Sequence, residues 1–118
     1  MKHLLIVIVM ILVWINGLIW LGNQIDPTNR YPTEVEYKYA RYCAGCHGKD
    51  GEGNGRIGRF KKLDPADLTD DNLWAIHNDE QLLTSIRDGK NDMPAFHYYL
   101  NEEDQKQILD YIKATYRP

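Results

Sequence analysis

The chain has 118 residues, which is enough for one domain and a short extension. A formal net charge of −3 at pH 7 excludes a general attraction for nucleic acid. The hydrophobic share of 43% overstates the core, because much of it lies near the N-terminus and leaves the rest poor in apolar side chains. A buried cofactor would supply the apolar mass that a globular part of roughly 85 residues lacks.

Residues 4–21 form an almost continuous apolar stretch that carries no formal charge. As a helix it would be about 27 Å long, close to the hydrocarbon thickness of a bilayer. The alternative is a cleaved signal peptide, but such a segment is usually shorter and ends at small residues, whereas no alanine precedes Ala40. We therefore predict an uncleaved transmembrane signal anchor over residues 1–22.

The residues around this span predict its orientation. Lys2 is the only charged residue before it, which favours a cytoplasmic N-terminus. The chain would cross the inner, cytoplasmic membrane once and place its remaining residues on the periplasmic, extracytoplasmic side. Within the span, Asn16 indicates either packing against another membrane helix or hydration near the interface. Residues 23–33, with Pro27 and Pro32, predict a linker that leads to a domain over residues 34–118.

Apolar and aromatic side chains spaced three and four apart predict a first helix of this domain over residues 34–46. Its end carries two cysteines three positions apart, followed directly by a histidine, in Cys43-Ala44-Gly45-Cys46-His47. Residues three apart share one face of a helix, so both thiols can reach the two vinyl groups along one edge of a haem. We predict one haem c, attached covalently at Cys43 and Cys46, with the imidazole of His47 toward the iron.

Three other roles of these residues are weaker. A zinc site would need a fourth ligand, and His3, His77 and His97 are not arranged as a second ligand pair. A thioredoxin-like redox pair would follow a strand in a βαβ unit, and no strand-like run surrounds Cys43. A structural disulfide would leave the adjoining histidine unexplained.

The remainder is predicted to be mainly helical. The glycines of residues 48–58 predict a flexible loop that approaches a flat cofactor, since a phosphate-cradling loop would need a preceding strand and a closing Lys-Ser or Lys-Thr. Residues 65–70 predict a turn. A short helix is expected between Asn78, capped together with Gln81, and Gly89. A last helix follows Asn101, and its predicted inward-facing residues are Ile108, Tyr111, Ile112 and Thr115.

The loop over residues 88–96 contains Met93-Pro94, and Met93 is the only methionine outside the predicted anchor. Proline restricts the backbone on both sides of the peptide bond, which would help to hold the thioether in place. Methionine and histidine together are a known pair of axial haem ligands. We therefore predict His47 and Met93 as the iron ligands, with His97 or an open coordination site as alternatives.

Together these motifs resemble those of class I c-type cytochromes, over about residues 37–116. The resemblance is carried by Tyr39, Cys43-x-x-Cys46-His47-Gly48, Gly51-x-Gly53-x-Gly55, Pro65-x-Asp67-Leu68-Thr69, Gly89 before Met93-Pro94-Ala95-Phe96, and Leu100 ahead of Tyr111-Ile112. It implies an all-α fold of three to five helices around one haem, after the membrane helix. It also implies that the first and last helices cross near Tyr39 and Tyr111. The pocket residues that it implies are Leu68, Trp74, Leu82 and Ile86.

One position departs from the pattern of similar domains. They often have a proline after the glycine loop, in the region whose carbonyl accepts a hydrogen bond from the axial histidine, and here Arg56 follows Gly55. The residue that supplies this carbonyl is therefore left open at this point.

The resemblance implies one-electron transfer rather than enzymatic conversion of a small-molecule substrate. The expected partners are redox proteins, with the chain as a shuttle or as a subunit of a respiratory or photosynthetic membrane oxidoreductase complex. A mainly structural assembly subunit and a haem sensor or enzyme with an open iron site are the alternatives. The basic cluster of Arg56, Arg59, Lys61 and Lys62 is either a solvated surface or one that steers an acidic partner.

Overall fold

The structure is a computed structural model that describes residues 1–25 and 30–118. It divides into two compact units, Met1–Pro32 and Thr33–Pro118, and each is described by itself. The predicted linker over residues 23–33 falls partly on residues 26–29, which lie outside the described residues. The helix before it continues past the predicted end at residue 22 as far as Ile25.

The first unit contains helix α1, Lys2–Ile25. Its stretch Lys2–Gln24 has a mean hydropathy of 2.8 and is long and apolar enough to cross a membrane. None of that stretch is buried in the structure. The amide Nδ2 of Asn16 donates to the carbonyl oxygen of Leu12 at 2.8 Å, so this polar group has a partner within its own helix.

The second unit is built from short helices. In chain order they are α2 Glu34–Tyr42, α3 Ala44–His47, α4 Arg56–Lys61, α5 Asp71–Ile76, α6 Asp79–Asp88 and α7 Glu102–Tyr116. Over residues 30–118 no strand forms, and one isolated antiparallel bridge joins Lys90 and Met93. The predicted all-α class is confirmed, with six helices where three to five were expected.

Helix boundaries follow from local capping groups. At the start of α6 the side chains of Asn78 and Gln81 each accept a hydrogen bond from the other residue's backbone N–H, and Asn101 and Asp104 do the same at α7. Gly89, at φ 80°, ends α6 as predicted. These helices begin and end where the sequence indicated because the signals lie within a few residues of each boundary.

Two predicted elements differ in the structure. The helix expected over residues 34–46 is interrupted at Cys43, whose φ of −113° and ψ of −45° separate α2 from α3. The loop expected over residues 48–58 is helical from Arg56 onward, because α4 begins there after Gly55. The first difference turns the cysteine motif into a separate short helix.

The core lies where α2 and α7 cross. The ring centroids of Tyr39 and Tyr111 are 5.4 Å apart, and those of Tyr39 and Tyr116 are also 5.4 Å apart, which confirms the expected crossing. The Tyr39 hydroxyl donates to the carbonyl oxygen of Gly48 at 2.8 Å, joining this core to the end of α3. Burial, together with the neighbouring Tyr111, raises the pKa of Tyr116 to about 12.

The inner face of α7 differs in part from the prediction. Ile108 and Ile112 are buried and Tyr111 is half-buried, but Thr115 is exposed, so its placement on the inner face was wrong. Tyr116 takes that place because its larger ring packs into the aromatic core. The other buried residues of α7 are Gln105 and Leu109.

Candidate haem site

A cavity of about 490 Å³ lies inside the second unit. Its volume is within the range of small-molecule and cofactor sites. All four residues predicted to hold the haem line it, namely Cys43, Cys46, His47 and Met93. The structure therefore brings Met93 from the loop after α6 to the same cavity as the motif of residues 43–47.

The short helix α3 presents the cysteine motif. The backbone N–H of Cys43 donates to the carbonyl oxygen of Tyr39 at 2.9 Å, and the N–H of His47 donates to the carbonyl oxygen of Cys43 at 3.0 Å. These hydrogen bonds connect α3 directly to the end of α2. Both thiols are free, with Cys43 buried and Cys46 half-buried. Burial raises the pKa of the Cys43 thiol to about 12, which keeps it protonated in this apolar setting.

His47 is oriented by a backbone carbonyl. Its Nδ1 lies 3.0 Å from the carbonyl oxygen of Ala66. Since a carbonyl only accepts, Nδ1 must carry the proton, which leaves the lone pair on Nε2 available for a metal. Burial lowers the pKa of His47, which favours the neutral imidazole that a metal needs. Ala66 thus supplies the acceptor that the sequence left open.

The loop that carries Met93 is held by backbone hydrogen bonds. Lys90 and Met93 exchange a reciprocal pair, at 3.1 and 3.0 Å. Farther along, the N–H of Phe96 donates to the carbonyl oxygen of Ile86 at 3.1 Å, which ties the loop to the last turn of α6. Gly89 allows this close approach, because a Cβ there would lie 2.6 Å from the carbonyl oxygen of Met93.

The two other histidines of this unit are placed differently. His97 is exposed, lies outside the cavity lining, and its Nδ1 lies 2.8 Å from the carbonyl oxygen of Arg87. His77 is half-buried and lines the cavity, and its Nδ1 lies 3.1 Å from the carbonyl oxygen of Leu73. The cavity wall therefore includes an imidazole that is not one of the predicted ligands.

Apolar side chains form most of the wall. The four expected pocket residues, Leu68, Trp74, Leu82 and Ile86, all line the cavity. The indole N–H of Trp74 donates to the carbonyl oxygen of Leu68 at 2.9 Å, so its polar atom is satisfied. The cavity lining also has a polar part, which includes Asp64, Ser85, Lys90, Asn91 and Asp92. The sequence did not predict these residues, because no local pattern marks them as part of a cavity.

The glycine loop plays a different part from the one predicted. Residues 48–58 do not line the cavity, so a close approach of this loop to the cofactor is not seen. Gly51, at φ 81°, instead packs under Tyr116, where a Cβ would lie 2.8 Å from the ring. Its carbonyl oxygen accepts from the N–H of Leu68 at 2.7 Å. The loop thus holds the segment around Leu68 in place by a backbone hydrogen bond.

The donor set and its surroundings fit a haem c and fit zinc poorly. Two free thiols, an imidazole with an available nitrogen and a thioether meet in a largely apolar cavity, as a covalently held and axially ligated porphyrin requires. Within residues 1–25 and 30–118, no three side chains among His, Cys, Asp and Glu are grouped to hold a metal ion by themselves.

Comparison with known proteins agrees with this geometry. A family model described as "Cytochrome C oxidase, cbb3-type, subunit III" matches residues 31–112. The solved structure of a protein described as "KustC0563 c-type cytochrome" superposes with a TM-score of 0.61 at 23% sequence identity, over 70% of this chain and 98% of the other. No curated protein sequence matches significantly.

The structural likeness shows a c-type cytochrome fold, and the family implies haem c and electron transfer. The family match covers well over half of the chain and includes every residue that lines the cavity. The chain therefore belongs to the family of cbb3-type cytochrome c oxidase subunit III, and its second unit is a class I c-type cytochrome domain.

Proposed function

We propose that this chain is a membrane-anchored electron carrier with one haem c, attached through Cys43 and Cys46 and ligated by His47 and Met93. The observation that carries the proposal is the convergence of all four side chains on one cavity. Residues 34–118 would be the haem domain, residues 1–22 the membrane anchor and residues 23–33 the linker between them.

A bound haem c would supply an iron that gains and loses a single electron. The chain's own residues prepare the site for this. The hydrogen bond to Ala66 fixes the tautomer and ring direction of His47, and the backbone bonds of residues 90–96 hold the thioether of Met93. Leu68, Ile86 and other apolar side chains exclude water. A soft thioether and an apolar wall both favour the reduced form, so the midpoint potential should be fairly positive.

The membrane helix suggests where the carrier works. Lys2 favours a cytoplasmic N-terminus, which would place the haem domain on the periplasmic, extracytoplasmic side of the inner membrane. Family membership supports a redox protein as partner, within or beside a membrane oxidoreductase complex. The chain would act there as a shuttle or as a fixed subunit, rather than as an enzyme with a small-molecule substrate.

Covalent attachment is tested by purifying the full chain in detergent from a host that matures c-type cytochromes. We expect the haem to stay with the polypeptide through denaturing electrophoresis and acid-acetone extraction, at one haem per chain. The matched variants Cys43→Ala and Cys46→Ala should each lose one of the two thioether bonds, which the absorption maximum of the alkaline pyridine complex reports. A colourless chain, or pigment that acid-acetone removes, would contradict the proposal.

Axial ligation is tested on the same preparation. A six-coordinate, low-spin spectrum in both oxidation states and no binding of carbon monoxide at neutral pH are expected. A high-spin spectrum with ready carbon monoxide binding would instead show an open coordination site.

A further inference from the structure

Helix α4 carries an apolar surface that the fold of the second unit does not cover. Phe60 is 88% exposed, the largest value among the large apolar side chains of this unit, and Ile57, one turn earlier, is 50% exposed. Residues three apart lie on the same side of a helix, so the two side chains are neighbours. Burying so large an apolar side chain is favourable, and this unit by itself leaves that gain unused.

Positive charges surround this apolar pair. Arg56, Arg59, Lys61 and Lys62 are all exposed, and no carboxylate among the described residues forms an ion pair with any of them. By contrast, Lys38, Arg87 and Lys113 each have a carboxylate partner. From residue 34 onward the chain has 12 basic and 16 acidic residues, so this cluster is a local positive region on a domain of negative net charge.

The surface adjoins the predicted haem-attachment turn. Ile57 packs on Gly45, between the two cysteines, so closely that a Cβ on Gly45 would lie 2.6 Å from Ile57 Cδ1. The N–H of Gly55 donates to the carbonyl oxygen of Cys46 at 2.9 Å, which fixes the start of α4 against α3. A protein seated on Ile57 and Phe60 would therefore lie next to the turn that carries the cysteines.

We infer that α4 is the docking surface for a redox partner protein whose own surface has an apolar patch rimmed by carboxylates. An apolar centre with a charged rim is the usual anatomy of a protein interface, and aromatic residues and arginine are enriched there. The unpaired cations complement an acidic rim and would orient the domain during approach. Docked in this way, the two proteins exchange one electron, the donor being oxidised as the acceptor is reduced.

A lipid surface is the other occupant to consider, and α4 suits it less well. The binding of an interfacial helix to a bilayer grows with the apolar area it buries, and α4, Arg56–Lys61, exposes only two large apolar side chains, Ile57 and Phe60. Two apolar side chains beside the attachment turn match the size of an interface centre better than that of a membrane-inserting face. Contact with lipid is therefore an outcome that the experiment must distinguish.

The inference rests on the proposed function, and the experiment separates the two. The haem-loaded full chain, in native membranes, is first reduced by dithionite and reoxidised by ferricyanide, and its midpoint potential is measured. If no haem cycles, the proposed function fails. If the haem cycles normally in all variants, any difference in their exchange with the membrane's own redox proteins reports on docking alone.

Phe60→Ala is expected to slow electron exchange with the native membranes about tenfold, as for loss of an interface hot spot. Arg59→Gln with Lys61→Gln should flatten the dependence of that rate on ionic strength. The matched controls are Ile76→Ala, another exposed apolar residue, and Lys106→Gln on α7. Rates and salt dependence in the α4 variants equal to those of the controls would overturn the inference.

A photoreactive benzoylphenylalanine at position 60 identifies what lies on the surface. We expect a crosslink to a redox protein at a peptide rich in Asp and Glu, which the same probe at position 76 does not give. A crosslink from position 60 to lipid, or equal products from both positions, would overturn the inference.

Discussion

The surroundings of His47 fix both the orientation and the protonation of its imidazole. The carbonyl of Ala66 fixes the proton on Nδ1, and burial lowers the pKa of the imidazole, so Nε2 is left unprotonated and available to a metal. Nothing in this arrangement depends on the side chain of residue 66. The departure from proline after Gly55 therefore leaves the hydrogen bond intact, because a backbone carbonyl from a later segment provides it.

Replacing the proposed thioether ligand tests the other side of the site. Met93→His would exchange a soft sulfur for a nitrogen that stabilises the oxidised iron better, and axial ligands shift haem potentials over several tenths of a volt. We expect the midpoint potential to fall by on the order of 0.1 V or more in a redox titration. His97→Ala is the matched control and should leave the potential unchanged. An unchanged potential in Met93→His would contradict ligation by Met93.

At the scale of elements, α6 and the loop after it form one hydrogen-bonded unit that positions Met93. Gly89 ends the helix at positive φ, and the hydrogen bonds of Phe96 and His97 to the carbonyls of Ile86 and Arg87 bring the loop back onto the last turn. Met93 is half-buried between these two constraints. The loop thus holds its methionine by backbone geometry that does not depend on the neighbouring side chains.

The substitution Gly89→Ala tests whether this arrangement of α6 and the loop depends on the glycine. The substitution places a Cβ 2.6 Å from the carbonyl oxygen of Met93 and 3.0 Å from the backbone nitrogen of Ala95. The backbone at Gly89, with φ 80° and ψ 165°, is in a region essentially confined to glycine, which costs an alanine about 1–3 kcal/mol. We expect the free energy of unfolding to fall by more than that amount, with part of the population losing the low-spin spectrum. Asn91→Gly, at a residue with φ 53°, is the control and should be neutral or slightly stabilising. Equal stability of Gly89→Ala and wild type in denaturant titrations would contradict this role of Gly89.

An ion pair between α2 and α7 should make stability depend on pH. Lys38 Nζ lies 2.6 Å from Asp104 Oδ1, and this hydrogen bond lowers the pKa of Asp104 below its usual 3.8. The unfolded chain therefore takes up the proton first, so the stabilisation is present above pH 3.8 and is lost as the pH falls below it. Asp104→Asn should cost about 1 kcal/mol at neutral pH and less in acid.

The measurement is urea unfolding of wild type and variant from pH 7 downward. Asp110→Asn, on the same helix and without an ion pair among the described residues, is the control and should change stability little. Stability curves for wild type and Asp104→Asn that stay parallel into acid would show that the pair contributes nothing.

At the scale of the whole molecule, the chain combines an apolar helix with a small domain. The domain has few buried apolar residues of its own, and several of them, including Leu68, Ile86 and Leu109, line the cavity. A haem in that cavity would complete the core and stabilise so short a domain. We infer that the chain without haem is far less stable than the loaded one.

The anchor is tested at this scale as well. We expect the full chain to stay in the membrane fraction through washes with high salt and alkaline carbonate, because 23 apolar-rich residues of α1 are uncovered. The double variant Val9→Asp with Leu12→Asp should be released or fail to insert, since each charge near the middle of the helix raises the free energy of insertion by about 3 kcal/mol. Release of the unmodified chain by salt alone would show that α1 does not span the bilayer.

The sequence by itself determined what depends on neighbouring residues. The apolar stretch of α1, the capping pairs at Asn78 and Asn101, the stop at Gly89 and the spacing of the cysteine motif are all local patterns. The resemblance to class I c-type cytochromes likewise rested on short motifs and their order along the chain. Only the tertiary structure decided the rest, because it depends on segments far apart in the chain. It separated the cysteine motif from α2, assigned Ala66 as the partner of His47, brought His77 into the cavity wall and exposed Phe60 beside the turn that carries the two cysteines.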